Sequence, residues 1–448
     1  MKKRNDIVIK KMPVLMFLAL IIVVIEMNAS FSAEYDYINI SNPFLNKIPI
    51  AVPFFRPMAE GSAEKKMARE ASDLLSETLE FTGFFKILNR GAFLEEPSEK
   101  GIVASRINFR NWRTVGAELL ITGGILIHND KVDMEFRLFD TFKEKLVIGK
   151  RYKGSPDDMR QMVRRFAREI IYRLTGNIGI FESKIAFVSS SSGTKELYIC
   201  DFDGYNPKKI TQKSNMTFAP AWSSDGRYLA FTSYARGRPD LFIKNLSGKR
   251  GAVINFQGVN LTPSWVPGKF ELAASLSFSG DQEIYLLTGT GKIIKRLTNQ
   301  WDIDVSPSFS PDGKKMAFVS RRSGSPQIHV MDMSSGNVKR ITFQGYYNTS
   351  PSWSPVDDKI VYVGMINNEI NIYMIEEKGG VAIQLTQQSG DNEFPTWSPD
   401  GSLITFSSTR EGKSRIYVMT AFGTDQRRLL TMPGEQSSPR WSPAEIKD

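Results

Sequence analysis

Pro220-Ala-Trp222, Pro263-Ser-Trp265, Pro307-Ser-Phe309, Pro351-Ser-Trp353, Pro395-Thr-Trp397 and Pro439-Arg-Trp441 are six copies of one pattern, spaced 43, 44, 44, 44 and 44 residues apart. Five of the seven tryptophans fall on this register, so tryptophan serves the repeat and not a separate site. Each copy runs into a turn, clearest in Ser223-Ser-Asp-Gly226, Ser310-Pro-Asp-Gly313 and Ser398-Pro-Asp-Gly401. Asp-Gly suits a tight connection because glycine accepts positive φ. A β-rich run follows every turn (Leu229–Ser233, Met316–Ser320, Ile360–Gly364, Ile404–Ser408), and a polar loop leads to another (Leu241–Lys244, Ile328–Asp332, Ile372–Ile375, Ile416–Thr420). A hairpin then returns into a basic-apolar-Thr strand such as Lys295-Arg-Leu-Thr298 or Lys339-Arg-Ile-Thr342.

Four short strands per unit of about 44 residues predict a β-propeller blade. The first unit, from Ile185, lacks an anchor strand before it, and the last anchor, Pro439–Pro443, has no body after it. Joining the two completes one blade, so the spacing predicts six blades closed by exchange of the terminal strands. Closure removes the exposed edges that burden an open all-β array. The second unit is irregular, with Arg250–Phe256 in place of the basic-apolar-Thr strand and Pro267-Gly268 in place of Asp-Gly.

Upstream, residues 34–180 read as a mixed α/β domain and 181–448 as the propeller. Ile48–Phe55 is strand-like but broken by prolines, which predicts an edge or terminal strand. Ser62 is expected to cap a helix carrying Met67, Ala71, Leu74, Leu75 and Leu79 on one face and stopping at Gly83. Leu119–Ile127 and Val132–Phe139 flank Asn129-Asp130 as a strand pair, with Leu146–Lys153 as a third member. Ser155-Pro-Asp-Asp158 is a capping-box start for a second helix, whose apolar face is Met162, Val163, Phe166, Ile170 and Ile171. The same helix bears Arg160, Arg164, Arg165, Arg168 and Arg173, a row that reads as a solvated face or as a surface for an anionic partner.

Residues 1–33 have the layout of a cleavable export signal: Lys2, Lys3, Arg4, Lys10 and Lys11, an apolar run from Met12 to Ile25, then small residues between Ala29 and Ala33. Fourteen apolar residues fall short of the roughly 20 that span a bilayer. The formal charge of +10 drops to +7 without this segment and spreads as +3 over 34–180 and +4 over 181–448. With no basic block, nucleic acid is a poor partner. One cysteine, Cys200, excludes an internal disulfide framework and a thiolate metal cluster, and two distant histidines, His128 and His329, leave no convincing Ser-His-acid set. No Gly-x-Ser-x-Gly elbow occurs, and Gly289-Thr-Gly-Lys292 lacks the spacing of a phosphate loop. The composition points to a binding protein with no catalytic residues, cofactor or metal.

Ile328-His-Val-Met-Asp-Met-Ser-Ser-Gly336 together with Ser310-Pro-Asp-Gly313 resembles the WD40-like propeller repeats of the TolB family and of prolyl oligopeptidase-type proteins, the latter carrying a hydrolase domain whose Gly-x-Ser-x-Gly elbow does not occur here. Leu79–Leu88, Trp112–Gly124 and Ile170–Ser189 are similar to the family's amino-terminal domain and its junction with the propeller. The resemblance covers nearly the whole chain in order. It implies an α/β amino-terminal domain followed by an all-β six-bladed propeller, in a monomeric, non-enzymatic periplasmic protein of a Gram-negative cell. It further implies binding of the peptidoglycan-associated lipoprotein Pal at the channel mouth and of TolA through the mature N-terminus, in support of outer-membrane integrity and cell division. TolA would meet residues 34–46, where Tyr35, Tyr37, Ile38 and Ile40 are apolar enough to add a strand to a partner's sheet and Pro43-Phe-Leu45 departs from the polar, glycine-containing family pattern.

Three residues before each anchor proline stand Thr217, Asn260, Asp304, Asn348, Asn392 and Gln436, all polar. Sixfold closure makes them a ring at the channel mouth, with Tyr347 beside it, able to bond an inserted partner element; turn chemistry also favours these residue types. Met216, Phe218, Trp301, Tyr346 and Phe394 are expected around the ring, with Arg236, Arg238, Arg321, Arg322, Arg410 and Arg415 on neighbouring loops. The other reading is a secreted propeller that binds peptide or carbohydrate. Deleting Glu34–Asn46 is expected to abolish the TolA-type contact in a pull-down while the propeller still folds; undiminished binding would refute that assignment.

Overall fold

The computed structural model describes residues 47–97, 101–212, 216–248 and 251–444, and among them every Pro-x-aromatic tripeptide ends the innermost strand of a four-stranded antiparallel blade. These inner strands are Thr217–Trp222, Asn260–Trp265, Asp304–Phe309, Tyr347–Trp353, Asn392–Trp397 and Gln436–Trp441. Each contacts the next, and the last contacts the first, so the six form a closed ring. Gln436–Trp441 pairs antiparallel with Lys184–Ser189, joining the two ends of the repeat array in one blade as expected.

A proline inside a central strand needs an explanation, because it lacks the ladder N–H. Every inner strand supplies one through a bulge. In the first, Phe218 faces Thr232 and Ala221 faces Ala230, so Ala219 and Pro220 together oppose Phe231 alone. The other five skip at the same place. The residue before each proline turns left-handed: Ala219, Thr262, Ser306, Ser350, Phe394 and Ser438 have φ between 46 and 56°. None is glycine, and a left-handed L-residue costs about 1–2 kcal/mol, so the packing around the ring must hold the bulge.

That packing comes from the aromatic two residues after the bulge. Trp265 Nε1 donates to Ala221 O of the preceding anchor at 3.1 Å, Trp397 to Ser352 O at 3.1 Å, and Trp222 to Arg440 O at 3.0 Å across the point of closure. These three indoles lie buried between blades with their one polar atom spent on the neighbour's bulged strand, whereas the equally buried Trp353 and Trp441 indoles have no hydrogen-bond partner among the described residues. The residue between proline and aromatic is small in five of six copies, which lets the next indole approach.

In the α/β part, β1 (Ile48–Ala51), β2 (Arg56–Pro57), β3 (Phe85–Ile87), β4 (Leu119–His128), β5 (Lys131–Asp140) and β6 (Lys145–Gly154) form one sheet in the order β3-β1-β4-β5-β6, with β2 also against β4. The proline-broken strand β1 is interior, contrary to the expectation of an edge: it pairs in parallel with β3 and β4. The Pro49 carbonyl accepts from Glu118 N–H at 3.0 Å, and only its missing donor is lost to the ladder. Asn129 and Asp130, at φ 47 and 60°, close the β4–β5 hairpin. Helices α1 (Ser62–Phe81) and α3 (Met159–Thr175) cover one face of the sheet with Ala71, Leu75, Leu79, Val163, Phe166 and Ile170, while the short α2 (Phe109–Thr114) packs Trp112 elsewhere. Ser62 is the first helical residue of α1, and Gly61 holds the cap position without a side-chain bond. The Ser155/Asp158 capping box forms, and left-handed Gly176 ends α3.

The arginine row of α3 is divided. Arg160 pairs with Asp203, and Arg164 Nη1 meets Asp201 at 3.0 Å, which also receives Lys184 Nζ at 3.0 Å. Both aspartates lie on the first blade's hairpin, so part of the row holds the α/β sheet to the propeller. Arg427 of the last blade reaches Phe81 O, and Lys47 meets Asp425 at 2.5 Å. All these contacts fall at the ends of the third blade strands, so the α/β part sits at that end of the ring, beside the first and last blades. Trp397→Phe, which removes only the indole bond, is expected to cost about 1 kcal/mol, and Trp397→Ala about 3–5 kcal/mol, in urea unfolding; a Phe variant as damaged as the Ala variant would assign the whole effect to ring size.

Candidate functional site

The inner strands begin at the opposite end, away from the α/β contacts, and there the loops 299–303, 343–347 and 387–391 surround the channel mouth. The ring read from the sequence is present and in register. Its side chains, however, are buried: Thr217, Asn260, Asp304, Asn348, Asn392 and Gln436 are each at most 1% exposed. Asn348 Nδ2 donates to Gln327 Oε1 and to Gln344 O, both at 2.8 Å. Asn392 Nδ2 reaches Gly390 O at 2.8 Å and Asn371 Oδ1 at 3.2 Å. Gln436 Nε2 serves Gly434 O at 2.8 Å and two further loop carbonyls, Asn260 Nδ2 donates to Phe256 O at 2.9 Å, and Asp304 receives Arg322 Nη2 at 2.7 Å. These residues tie each mouth loop to its own blade. Thr217 Oγ1, Asn260 Oδ1 and Asn348 Oδ1 have no partner among the described residues.

Beneath the ring runs a second set of bonds that the sequence reading did not assign. Thr298, Thr342 and Thr386, the ends of the basic-apolar-Thr strands, bond Glu283, Gln327 and Asn371, and Thr211 bonds Glu196 at 2.5 Å. Each threonine hydroxyl also accepts the backbone N–H one residue further on, as at Ile328 (2.9 Å). The irregular second blade has Asn255 in the threonine column, and Arg238 takes over: its Nη2 donates to Asn255 O at 3.0 Å and its Nε lies 3.3 Å from buried Asp240. Four of the six blades carry Glu, Gln or Asn in the first column and Thr in the second, a pairing visible in the sequence once the register is known.

What the mouth leaves open is aromatic. Trp301 is 84% exposed, Tyr346 54% and Tyr347 42%, with Met216 and Phe394 partly exposed beside them. The arginines split into two groups. Arg322 and Arg410 are bound to ring residues Asp304 and Asn392, and Arg415 to Gly434 O, while Arg236, Arg238 and Arg321 keep about half their side chains in solvent beside Asp240 and Asp302. Tyr35, Tyr37, Ile38 and Ile40, and the export segment before them, lie outside the described residues.

Burial pushes the Cys200 thiol far up, so it stays protonated, and its Sγ faces Ile185 O at 3.7 Å. Burial pushes His329 down to about 4, leaving it neutral against Phe318, and exposed His128 touches only Asn129. Among the described residues no three His, Cys, Asp or Glu side chains converge on a metal-sized site, and no helix is long and apolar enough to cross a membrane. The sequence reading also passed over Glu393, one residue after ring member Asn392, where the other inner strands carry Phe218, Leu261, Val305, Thr349 and Ser437. Burial first, and then nearby Asp391, raise the Glu393 carboxyl above the ordinary carboxylate range.

Residues 171–445 match the model described as the TolB beta propeller domain and residues 36–147 the TolB amino-terminal domain. A Tol-Pal system protein TolB of Desulfosudis oleivorans is 58% identical over 273 residues, covering 61% of this chain and 62% of that protein. A TolB homolog of Chlorobium luteolum is 39% identical over 276 residues, 62% of each chain. These alignments span about three fifths of the relatives' own length. The crystal structure of TolB from Acinetobacter baumannii superposes with a TM-score of 0.77 at 27% identity, over 89% of this chain and 97% of that one.

Because the folded-state pKa of Glu393 is raised, the wild-type protein carries a disfavoured charge at neutral pH and regains stability as pH falls through that pKa to the unfolded value near 4.3. Glu393→Gln is therefore expected to be more stable than wild type in urea at pH 7–8, with the difference vanishing near pH 4. A difference independent of pH would show that the carboxylate is not strained.

Proposed function

The chain belongs to the TolB family, and on that premise we propose that it is a non-enzymatic, periplasmic component of a Tol–Pal envelope assembly that docks a Pal-type lipoprotein on the propeller mouth. The observation that carries this reading is the aromatic rim formed by Trp301, Tyr346, Tyr347 and Phe394 on the end of the ring free of the α/β contacts. Exposed Trp and Tyr are expensive to leave in water and are the side chains that dominate binding energy at interfaces. Arg236, Arg238 and Arg321 stand near the rim and favour a partner surface with acidic residues.

In this reading the ring residues Thr217, Asn260, Asp304, Asn348, Asn392 and Gln436 act by holding the mouth loops in shape, and the partner meets Tyr347 and its neighbours directly. The N-terminal segment with Tyr35, Tyr37, Ile38 and Ile40 makes the TolA contact, and the protein acts as a monomer attached to the outer membrane through Pal. The role in envelope integrity and division follows from that linkage. No catalytic step is required of it, in keeping with an inert Cys200 and a neutral His329.

Affinity capture from envelope extracts tests the proposal. Wild type is expected to retain a peptidoglycan-associated lipoprotein, and Trp301→Ala with Tyr347→Ala to weaken that capture at least about 30-fold, the scale of losing about 2 kcal/mol at an interface centre. Both side chains are exposed, so thermal unfolding of the variant should match wild type. Recovery of a glycan or a free peptide in place of the lipoprotein would sink this reading in favour of a ligand-binding propeller.

A further inference from the structure

We propose that the cleft between the closing blade and the blade after it binds a short, extended, acidic segment of a partner protein that also carries apolar side chains. The cleft is an exception within the repeat. At four of the six seams a glycine in the last hairpin of one blade lies against the preceding blade's outer strand or the residue after it. A Cβ added at Gly204, Gly291, Gly379 or Gly423 would come within 2.5–3.4 Å of Leu429, Ile254, Ile341 or Leu385. Gly336 stands clear of its neighbour, but Leu297, Met333 and Val338 pack there on the core that the two blades share. Gly248 has nothing within 4 Å, and its seam stays open as a cleft of about 710 Å³.

The floor of the cleft is apolar. Phe242 stacks on buried Phe231 with ring centroids 5.7 Å apart, and Ile210 and Leu246 pack on the same core. Val253, 43% exposed, stands at its edge. The polar side chains on its wall are donors. Lys244 lines it from strand Asp240–Asn245, and Lys208 and Lys209, exposed on the closing blade's outer strand, immediately precede Ile210. None of these lysines forms an ion pair among the described residues. Asn245 also lines the cleft and is 6% exposed: its Oδ1 accepts from Ser247 N–H at 2.9 Å, while its amide donor engages no described residue.

No acidic side chain lines the cleft among the described residues. Apolar bulk with free donors on one wall selects a ligand that brings apolar groups together with carboxylates. From Phe242 to Leu246 the wall runs about 13 Å at a strand's rise per residue, the reach of about four or five extended residues. A second copy of the chain is a poor occupant, because its outer blade strands carry like charge at Lys295-Arg296, Lys339-Arg340 and Arg427-Arg428. The site lies on the side of the ring and does not rest on docking at the mouth.

Fluorescence anisotropy on the full chain tests it, with a labelled seven-residue peptide alternating aspartate and leucine. Saturable binding is expected, weakened at least about 10-fold by Lys244→Glu and unchanged by Trp301→Ala with Tyr347→Ala. The same peptide with lysine for aspartate should not bind. No saturable binding, equal affinity for wild type and Lys244→Glu, or loss in the mouth variant would each overturn the proposal. Should Lys244→Glu unfold differently from wild type, amide hydrogen exchange of the wild type gives a second reading. Peptide-induced protection within 240–254 supports the cleft, and protection elsewhere or none overturns it. Dimerisation of the wild type in sedimentation, abolished by Lys244→Glu, would give the cleft to a second copy and likewise overturn it.

Discussion

The indole-to-carbonyl contact between successive inner strands is the constraint on which the rest of the molecule hangs. It couples three features of each tripeptide that would otherwise look unrelated. The proline sits in a bulge where no ladder donor is needed, the residue before it accepts a left-handed backbone, and the aromatic packs between blades, in three copies with its indole N–H spent on the neighbouring bulge. Each element is unfavourable or wasteful alone. Together they bond three pairs of neighbouring inner strands, among them the closing pair, where Trp222 meets Arg440. Where Phe309 replaces tryptophan, the Ser306 backbone N–H donates to Thr262 Oγ1 at 3.3 Å, and at the next strand the Trp353 backbone N–H donates to Ser308 Oγ at 3.0 Å while its indole has no partner among the described residues.

A closed ring leaves two unlike ends, and the α/β part uses one of them. Asp201 and Asp203 of the first blade hold Arg164 and Arg160, while Phe81 of α1 receives Arg427 of the last. The blades bracketed in this way are the two that share the closing strand exchange. Ring closure and domain attachment therefore reinforce each other, and the mouth at the far end keeps its aromatic rim free for another molecule. The one thiol and one of the two imidazoles are meanwhile buried in uncharged form.

Periodicity was legible because it is local. A 44-residue register, Asp-Gly turns and complementary ends specify a six-bladed closed propeller without any knowledge of contacts, since each blade must bury the same faces in the same order. Polar ring residues were found by the same register, yet their burial was not: a sequence column shows that Asn348 and Asn392 are polar and does not show whether the bond is made outward or back to Gln327 and Asn371. Strand β1 misled for a related reason. Two prolines suggest an edge, but parallel neighbours need only the donors that remain, and Pro49 keeps its acceptor.

The sequence by itself determined the blade count, the mode of closure and the helix faces, all of which rest on spacing or composition. Tertiary structure alone decided which charges are spent and which are free. Arg160 and Arg164 look no different in the sequence from Arg440, but the first two meet aspartates 37 or more residues away and the last meets none among the described residues. Charge partners are chosen by distance through space, and a one-dimensional pattern carries that information only where the repeat itself brings the two columns together.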